Sequence, residues 1–238
     1  MPDNYIDLIY CDILYNTGKK FKDYNDNLGT SQEAIEWYKP RLIEMKRVLK
    51  ETGSIYIQCD YRLVHYLKVE MDCIFGIKNF KNDIAWIYNL ADNSTSNYPK
   101  KHDNILFYSK TDTYTFNADD IRIPYSDATK KRYNGTKVGR GNKTDLNTLG
   151  KVPNNAWQDI DIERNNHIYD TQKPKKLLER VIKASSNKGD IIADFFMGSG
   201  TTGEVALELG RKFIGCDNGD KACEIAKNRI QNYPICSA

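Results

Sequence analysis

The sequence has little of what would place a protein in a membrane, outside the cell or around a metal ion. Among its 238 residues no run approaches 18 uncharged apolar residues, so no transmembrane helix is expected. The first residues lack the basic and apolar regions of a signal peptide. Histidine occurs three times, and the six cysteines are scattered without a Cys-x-x-Cys pair. We therefore expect a cytoplasmic chain with reduced thiols, no structural metal and no membrane partner.

The residues that are present favour one large α/β domain that carries an insertion. Charged residues make up 28% and hydrophobic residues 40% of the chain, which argues against wholesale disorder. Short apolar runs predict buried strands at 5–11, 54–59 and 191–196, and helical patterns follow them. This alternation predicts a parallel sheet with helices on both faces. The polar stretch at 92–166 indicates an insertion, although its strand at 104–109 is expected to belong to the sheet.

The net charge of +3 hides a strongly basic segment at 127–151. The segment holds seven basic residues against two acidic ones, and it has four glycines. A solvated surface loop is one interpretation. A phosphate-contacting element is the other, because Lys and Arg gain affinity for nucleic acid by releasing counterions. The basic side chains are Lys130, Lys131, Arg132, Lys137, Arg140, Lys143 and Lys151.

A glycine pattern near the C-terminus is typical of a nucleotide-binding turn. Gly198, Gly200 and Gly203 lie between a predicted strand and a predicted helix. Asp217 ends the next predicted strand, at about the spacing of a carboxylate that binds ribose hydroxyls. An ordinary tight turn is the alternative. The pattern alone does not distinguish NAD from S-adenosylmethionine.

A second candidate site follows the first predicted strand, in the segment from Asp12 to Tyr15. Strand ends face the ligand crevice in open α/β sheets. A carboxylate, a backbone carbonyl and a stackable ring suit a planar base that carries an amino group. In the alternative interpretation, Asp12 caps a turn and Tyr15 packs on the core.

Four segments, in this order, resemble the β-class amino-methyltransferases of DNA. They are residues 6–18, 102–110, 169–174 and 194–202. The resemblance implies a Rossmann-like methyltransferase sheet that is circularly permuted, so that the catalytic motif precedes the cofactor motif. It also implies a catalytic and cofactor-binding body formed by 1–91 and 167–238, and a target-recognition insert at 92–166.

The resemblance further implies S-adenosylmethionine as the cofactor and assigns residues to it. Asp217 would bind the ribose, and Lys173, just before a predicted helix, would lie near the methionine carboxylate. The other cofactor residues implied in this way are Asp12, Asp194, Phe196, Gly198, Gly200, Thr201 and Thr202.

The implied reaction is methyl transfer to N6 of an adenine flipped out of double-stranded DNA. Asp12 and the backbone carbonyl of Ile13 would accept the two amine hydrogens, which localises the nitrogen lone pair. Tyr15 would stack on the base. The basic segment lies inside the implied insert, which favours its DNA-contacting interpretation. The implied DNA-binding residues are Tyr15, Asn16, Lys130, Lys131, Arg132, Lys137, Arg140 and Lys143.

Two features depart from the family pattern. The usual catalytic motif is Asp-Pro-Pro-Tyr, whereas Ile13 and Leu14 replace both prolines here, which predicts a more flexible segment and a lower rate. The family also usually has a strand and a helix before the catalytic strand, which in this sequence begins close to Met1. The chain would then be naturally short, truncated, or completed by a second copy or a partner subunit.

Other functions stay open at this point. The changed motif and the missing first strand would also suit a DNA-binding or regulatory subunit without catalysis. Methyl transfer to cytosine-N4 or to RNA is a further alternative, although aspartate at position 12 favours adenine by family analogy. An NAD-dependent oxidoreductase would leave the segment from Asp12 to Tyr15 unexplained.

Overall fold

A computed structural model of the chain describes residues 1–21, 24–89, 94–133, 146–162, 172–231 and 233. The strands are β1 (Ile6–Asp12), β2 (Lys19–Lys20), β3 (Asn25–Asp26), β4 (Leu49–Cys59), β5 (Phe80–Ile87), β6 (His102–Ser109), β7 (Ala156–Trp157), β8 (Ile191–Asp194) and β9 (Lys212–Gly215). The α-helices are α1 (Ser31–Val48), α2 (Val64–Phe75), α3 (Asp127–Tyr133), α4 (Lys175–Ser185), α5 (Thr201–Glu208) and α6 (Asp220–Ile230). Short 3₁₀ turns cover Ile77–Asn79 and Ala118–Ile121. Within these ranges, no helix is long and apolar enough to span a bilayer.

One mixed sheet organises the fold. Its strands lie side by side in the order β7, β5, β6, β4, β1, β8, β9, while β2 and β3 form a separate ribbon. The neighbours β4, β1, β8 and β9 are parallel, as predicted. β6, for which the sequence patterns predicted no direction, is antiparallel to both β4 and β5, so the sheet is mixed on this side. β6 follows β5 in the sequence after residues 88–101 and pairs directly with it.

The predicted insert at 92–166 supplies strands to this sheet. β6 lies between β4 and β5, in agreement with the strand predicted at 104–109, and β7 pairs in parallel with β5. The division of the chain into a body and a target-recognition insert stays a prediction.

Helices cover both faces of the sheet and hold β1 from two sides. Ile9 and Cys11 belong to a buried cluster with α1 and α2, whereas Leu8 and Tyr10 belong to a second cluster with α4 and α5. Burial of one large aliphatic side chain contributes about 1.5–3 kcal/mol. The end of β1, where Asp12 lies, is therefore fixed by core packing on both faces.

The long helix α1 is capped by Thr30, the residue before its first turn. The Thr30 hydroxyl accepts a hydrogen bond from the Glu33 N–H at 3.2 Å, and the Thr30 N–H donates to the Glu33 carboxylate at 2.7 Å. Such a cap stabilises a helix by about 1 kcal/mol. Pro40 lies inside α1, which continues as one helix, so the proline does not divide it.

Candidate active site

Acidic residues end neighbouring strands at one edge of the sheet. Asp12 ends β1, Asp194 ends β8, and Asp217 follows β9 by two residues. From β1 the chain passes through α1 to β4 on one side, whereas α5 joins β8 to β9 on the other side. This reversal of direction between β1 and β8 creates a crevice, which is where open α/β sheets bind ligands.

The crevice contains a cavity of about 660 Å³ that joins the two candidate sites predicted from the sequence. Its size lies within the range of about 300–1,000 Å³ that is typical of ligand pockets. Seven predicted site residues line it: Asp12, Ile13, Tyr15, Lys173, Phe196, Gly198 and Asp217. The segment that ends β1 and the glycine turn that follows β8 therefore face the same space.

Three other predicted cofactor residues lie around a smaller cavity of about 50 Å³, which shares Asp12, Lys173 and Gly198 with the large one. They are Asp194, Thr201 and Thr202. The Thr202 hydroxyl donates to the Asp194 carboxylate at 2.6 Å, and the Phe196 N–H donates to its other oxygen at 3.0 Å. Burial raises the pKa of Asp194 to about 7. Asp194 thus fixes the start of the glycine turn.

The glycine turn is closed by Asp217. One oxygen of its carboxylate accepts from the Gly198 N–H and the other from the Gly219 N–H, each at 2.9 Å. Gly200 lines neither cavity. Its φ is +77°, and a Cβ at this position would lie 2.8 Å from Cβ of Ala226 in α6, so only glycine fits the turn and the packing together.

Asp12 is engaged through both carboxylate oxygens. The Lys173 ammonium donates to Oδ2 at 2.5 Å, and the Tyr15 hydroxyl lies 2.8 Å from Oδ1. Burial raises the pKa of Asp12, and the positive charge of Lys173 opposes this rise. Burial alone would lower the pKa of Lys173, but the carboxylates of Asp12 and Asp103 raise it. Lys173 therefore favours the ionised, hydrogen-bond-accepting form of Asp12.

Asp103 is a buried residue of the site that the sequence did not single out. Its carboxylate lies 2.8 Å from the Tyr15 hydroxyl and accepts from the Gln58 amide at 2.9 Å and the Tyr88 hydroxyl at 3.0 Å. The Tyr15 hydroxyl has one proton and lies within hydrogen-bond distance of both carboxylates, so it bridges Asp12 and Asp103. The sequence offered two signals: Asp103 precedes an apolar strand, and it lies in segment 102–110, one of the four that carry the resemblance.

The segment from Asp12 to Asn16 is held by hydrogen bonds and burial. The side chain of Ile13 is buried, and its N–H donates to the Gln58 carbonyl at 3.2 Å. The buried Tyr38 hydroxyl donates to the Leu14 carbonyl at 2.9 Å. Asn16, at φ +55°, donates from its side chain to the Gly29 carbonyl and accepts from the Leu28 N–H. These contacts restrain a segment for which the missing prolines predicted flexibility.

The predicted DNA-binding residues of the basic segment fall into two groups. Lys130, Lys131 and Arg132 are exposed on α3 and do not line the large cavity. Lys137, Arg140 and Lys143 lie outside the described residues. Their contact with DNA stays a prediction.

No group of three or more His, Cys, Asp or Glu residues that could hold a metal ion occurs in the part of the chain that the structure describes.

The chain has an open α/β sheet and a glycine turn closed by the Asp217 carboxylate. These features are typical of α/β proteins that bind a nucleotide-like cofactor. A family model described as DNA methylase matches residues 6–228, and the chain belongs to this family. The resemblance inferred from the four motifs is thereby confirmed.

Individual relatives match over nearly the full chain. The chain is 35% identical over 236 residues to "Type II methyltransferase M.HpaI" of Haemophilus parainfluenzae, covering 98% of this chain and 70% of that protein. It is 33% identical to "DNA adenine methyltransferase YhdJ" of Escherichia coli K12, covering 97% and 78%. The crystal structure of the M1.HpyAVI–SAM complex superposes with a TM-score of 0.58 at 23% identity, covering 94% of this chain and 89% of that chain. This last likeness confirms the Rossmann-like methyltransferase fold.

Proposed function

We propose that this chain transfers a methyl group from S-adenosylmethionine to N6 of a flipped adenine in double-stranded DNA. The observation that carries the proposal is the single cavity lined by both Asp12–Tyr15 and the turn from Phe196 to Gly198. A methyl donor and an amine acceptor must meet in one space, and both candidate sites line this one cavity. Membership of the DNA methylase family and the names of its relatives support the same reaction.

The acceptor side of the cavity is suited to an exocyclic amine. Each oxygen of Asp12 accepts one hydrogen bond and can accept another, so an amine hydrogen adds to the contacts with Lys173 and Tyr15. The Ile13 carbonyl would accept the second hydrogen. Two fixed acceptors hold the nitrogen lone pair out of conjugation and toward the reacting carbon. Tyr15 would stack on the base, and its hydroxyl contact with Asp103 fixes the position of the ring.

The donor side fits the proposed cofactor. Phe196 and Trp37, whose ring centroids lie 6.2 Å apart, form an apolar wall of the cavity. The carboxylate of Asp217 has accepting capacity left for ribose hydroxyls, and Lys173 is the cation that would face the methionine carboxylate. S-adenosylmethionine supplies an electrophilic sulfonium methyl group when it is bound.

DNA is the proposed partner, and the basic residues of the 92–166 insert are proposed to contact its phosphates. Lys130, Lys131 and Arg132 are exposed and available for such contacts. Association with a second copy or a partner subunit stays a prediction. The molecular mass of the protein in solution, measured with and without DNA, tests it directly.

The decisive experiment compares Asp12→Asn with the matched control Asp112→Asn. Asp112 is an exposed aspartate outside both cavities. Transfer of a tritiated methyl group to bacterial genomic DNA, followed by nucleoside mass spectrometry, measures the rate and identifies the base. We expect Asp12→Asn to lower the rate at least 100-fold, because it removes a charged acceptor of the transition state. We expect Asp112→Asn to match the unmodified chain and N6-methyladenine to be the product.

Full transfer by Asp12→Asn would overturn the assigned role of Asp12. Methylcytosine as the sole product would replace adenine by cytosine-N4 as the target. Calorimetry with S-adenosylmethionine separates a catalytic defect from lost cofactor binding, because a purely catalytic defect leaves the dissociation constant of the cofactor unchanged.

A further inference from the structure

An aromatic ring flanked by two cations lies at the edge of the sheet beside the candidate site. Tyr61 is 43% exposed and follows the end of β4 by two residues. The Arg62 guanidinium carbon lies 4.7 Å, and the Lys100 ammonium 4.5 Å, from the centroid of its ring. Both contacts lie within the range of cation–π attraction. We call Tyr61, Arg62 and Lys100 the rim cluster.

The strand register places the rim cluster next to the site. Cys59 of β4 pairs with Asn104 of β6, and the two strands are antiparallel. Asp60 follows Cys59 and Asp103 precedes Asn104, so both lie just beyond this pair toward the edge, and Asp103 contacts the Tyr15 hydroxyl. Tyr61 begins the turn that leads from Asp60 into α2. The cluster therefore lies just outside the carboxylate that contacts the catalytic tyrosine.

The cluster is oriented by a buried anchor. Arg62 forms an ion pair with the buried Asp60, and the Arg62 N–H donates to the same carboxylate at 2.9 Å. Lys100 is exposed, and Tyr98, two residues before it, is 95% exposed. The cluster thus presents cations and aromatic faces to solvent from a fixed backbone position.

We propose that the rim cluster binds the DNA strand beside the flipped nucleotide, with Lys100 and Arg62 on its phosphates and Tyr61 against a base or sugar. This inference rests on the proposed function. A base that enters the cavity leaves its flanking phosphates at the rim, where cations bind them. Exposed aromatic rings next to cations suit a nucleotide strand, because every base has a face that can stack. An acidic polypeptide would use the cations but has no comparable use for the ring.

The test measures the salt dependence of binding to a fluorescein-labelled 20-base-pair duplex by anisotropy, in the full chain. The variants are Lys100→Gln and Tyr61→Leu, and the control is Lys78→Gln. Lys78 is an exposed lysine just before β5, at the opposite edge of the sheet. Arg62 is left intact because its loss would strand the buried Asp60 carboxylate.

We expect Lys100→Gln to reduce the slope of log affinity against log salt by about 1, the effect of one lost phosphate contact, while Lys78→Gln keeps the original slope. Tyr61→Leu should weaken binding to a duplex that carries a mismatched adenine by about fivefold or more, with the slope unchanged. The affinity for S-adenosylmethionine and the thermal midpoint should stay the same in all three variants.

The outcomes that overturn this inference differ from those that overturn the proposed function. The rim cluster alone is refuted if the unmodified chain binds and methylates DNA, Lys100→Gln keeps the salt-dependence slope, and Tyr61→Leu keeps the affinity for DNA. An unmodified chain that does not bind DNA refutes both proposals. Loss of binding to poly-glutamate but not to DNA in Lys100→Gln would reassign the cluster to an acidic polypeptide.

Discussion

Tyr38 offers the sharpest test of how the catalytic segment is held in place. Its ring is buried, with an exposed fraction of 1%, and its hydroxyl donates to the Leu14 carbonyl at 2.9 Å. The same ring lies 6.1 Å from Phe196 of the glycine turn. Tyr38 therefore connects the segment that follows β1 to the segment that follows β8. The substitution Tyr38→Phe keeps the ring and removes only the hydrogen bond.

The structure gives an estimate of the effect. A net hydrogen bond contributes about 1 kcal/mol, and a carbonyl left without its partner costs about 1–3 kcal/mol if it stays buried. Leu14 is partly exposed, so water can replace part of the lost contact. We expect the free energy of unfolding to fall by about 1–2 kcal/mol. The same free energy acting on the segment would reduce the ratio of its aligned to its misaligned conformation by about five- to thirtyfold.

The expected consequence is selective. Because the segment carries Asp12 and Tyr15 but Tyr38 touches neither reacting group, kcat should fall about three- to tenfold while the dissociation constant of S-adenosylmethionine stays within about twofold. Steady-state methylation of DNA and calorimetry with the cofactor measure these two quantities. Urea unfolding measures the loss of stability.

A second tyrosine provides the matched control. Tyr56 is 2% exposed, and its hydroxyl pairs with the Ser185 hydroxyl at 2.7 Å, on the opposite face of the sheet from Tyr38. Tyr56→Phe should destabilise the fold to a similar extent and leave kcat unchanged. Equal effects of the two substitutions on kcat, or no effect of Tyr38→Phe beyond its loss of stability, would show that the Leu14 contact does not position the segment.

Three further predictions follow from the same contacts. Gly200→Ala should lower the free energy of unfolding by more than Gly189→Ala. Both glycines have positive φ, but only at Gly200 would an added Cβ meet a side chain of another helix. Urea titration measures the two losses of stability, and equal losses would contradict the prediction. Burial raises the pKa of Asp194 to about 7, so its ionisation should destabilise the folded chain progressively from about pH 4 to pH 7, and Asp194→Asn should lack this loss when unfolding is measured across that range. Lys173→Met removes the positive charge that opposes the rise of the Asp12 pKa. The acid limb of the pH–rate profile should therefore move to higher pH. An acid limb that does not move would show that ionisation of Asp12 does not control the rate.

The sequence allowed the position of the site to be predicted because buried parallel strands are continuous apolar runs. The predicted runs end at Asp12 and just before Asp217, whereas the run predicted at 191–196 extends two residues beyond Asp194, where β8 ends; the parallel arrangement brings these strand ends to one edge. Asp12 and Asp217 were visible because each directly follows the apolar residues of its predicted strand. The cofactor-binding part of the candidate site could be predicted from short-range patterns, because its glycines and Asp217 lie within one strand–helix–strand unit.

The contacts that fix the geometry were not visible, because they join residues far apart in the chain. Asp103 meets Tyr15 across 88 positions, and this meeting requires β6 to run antiparallel, with its start at the carboxyl edge of the parallel strands. A parallel β6 would have put Asp103 at the opposite edge. Because the sequence patterns indicated no direction for the strand at 104–109, they did not place Asp103 at the site.

The loss of two prolines predicts a more flexible segment, and this prediction took no account of contacts from distant parts of the chain. Proline restricts a segment through its own backbone, so its absence is visible in the local sequence. The restraints found here come from elsewhere: Tyr38 of α1 holds Leu14, Gln58 of β4 holds Ile13, and burial holds the Ile13 side chain. Rigidity of the catalytic segment is thus a property of the packed sheet and helix, and Tyr38→Phe tests it where a proline substitution would not.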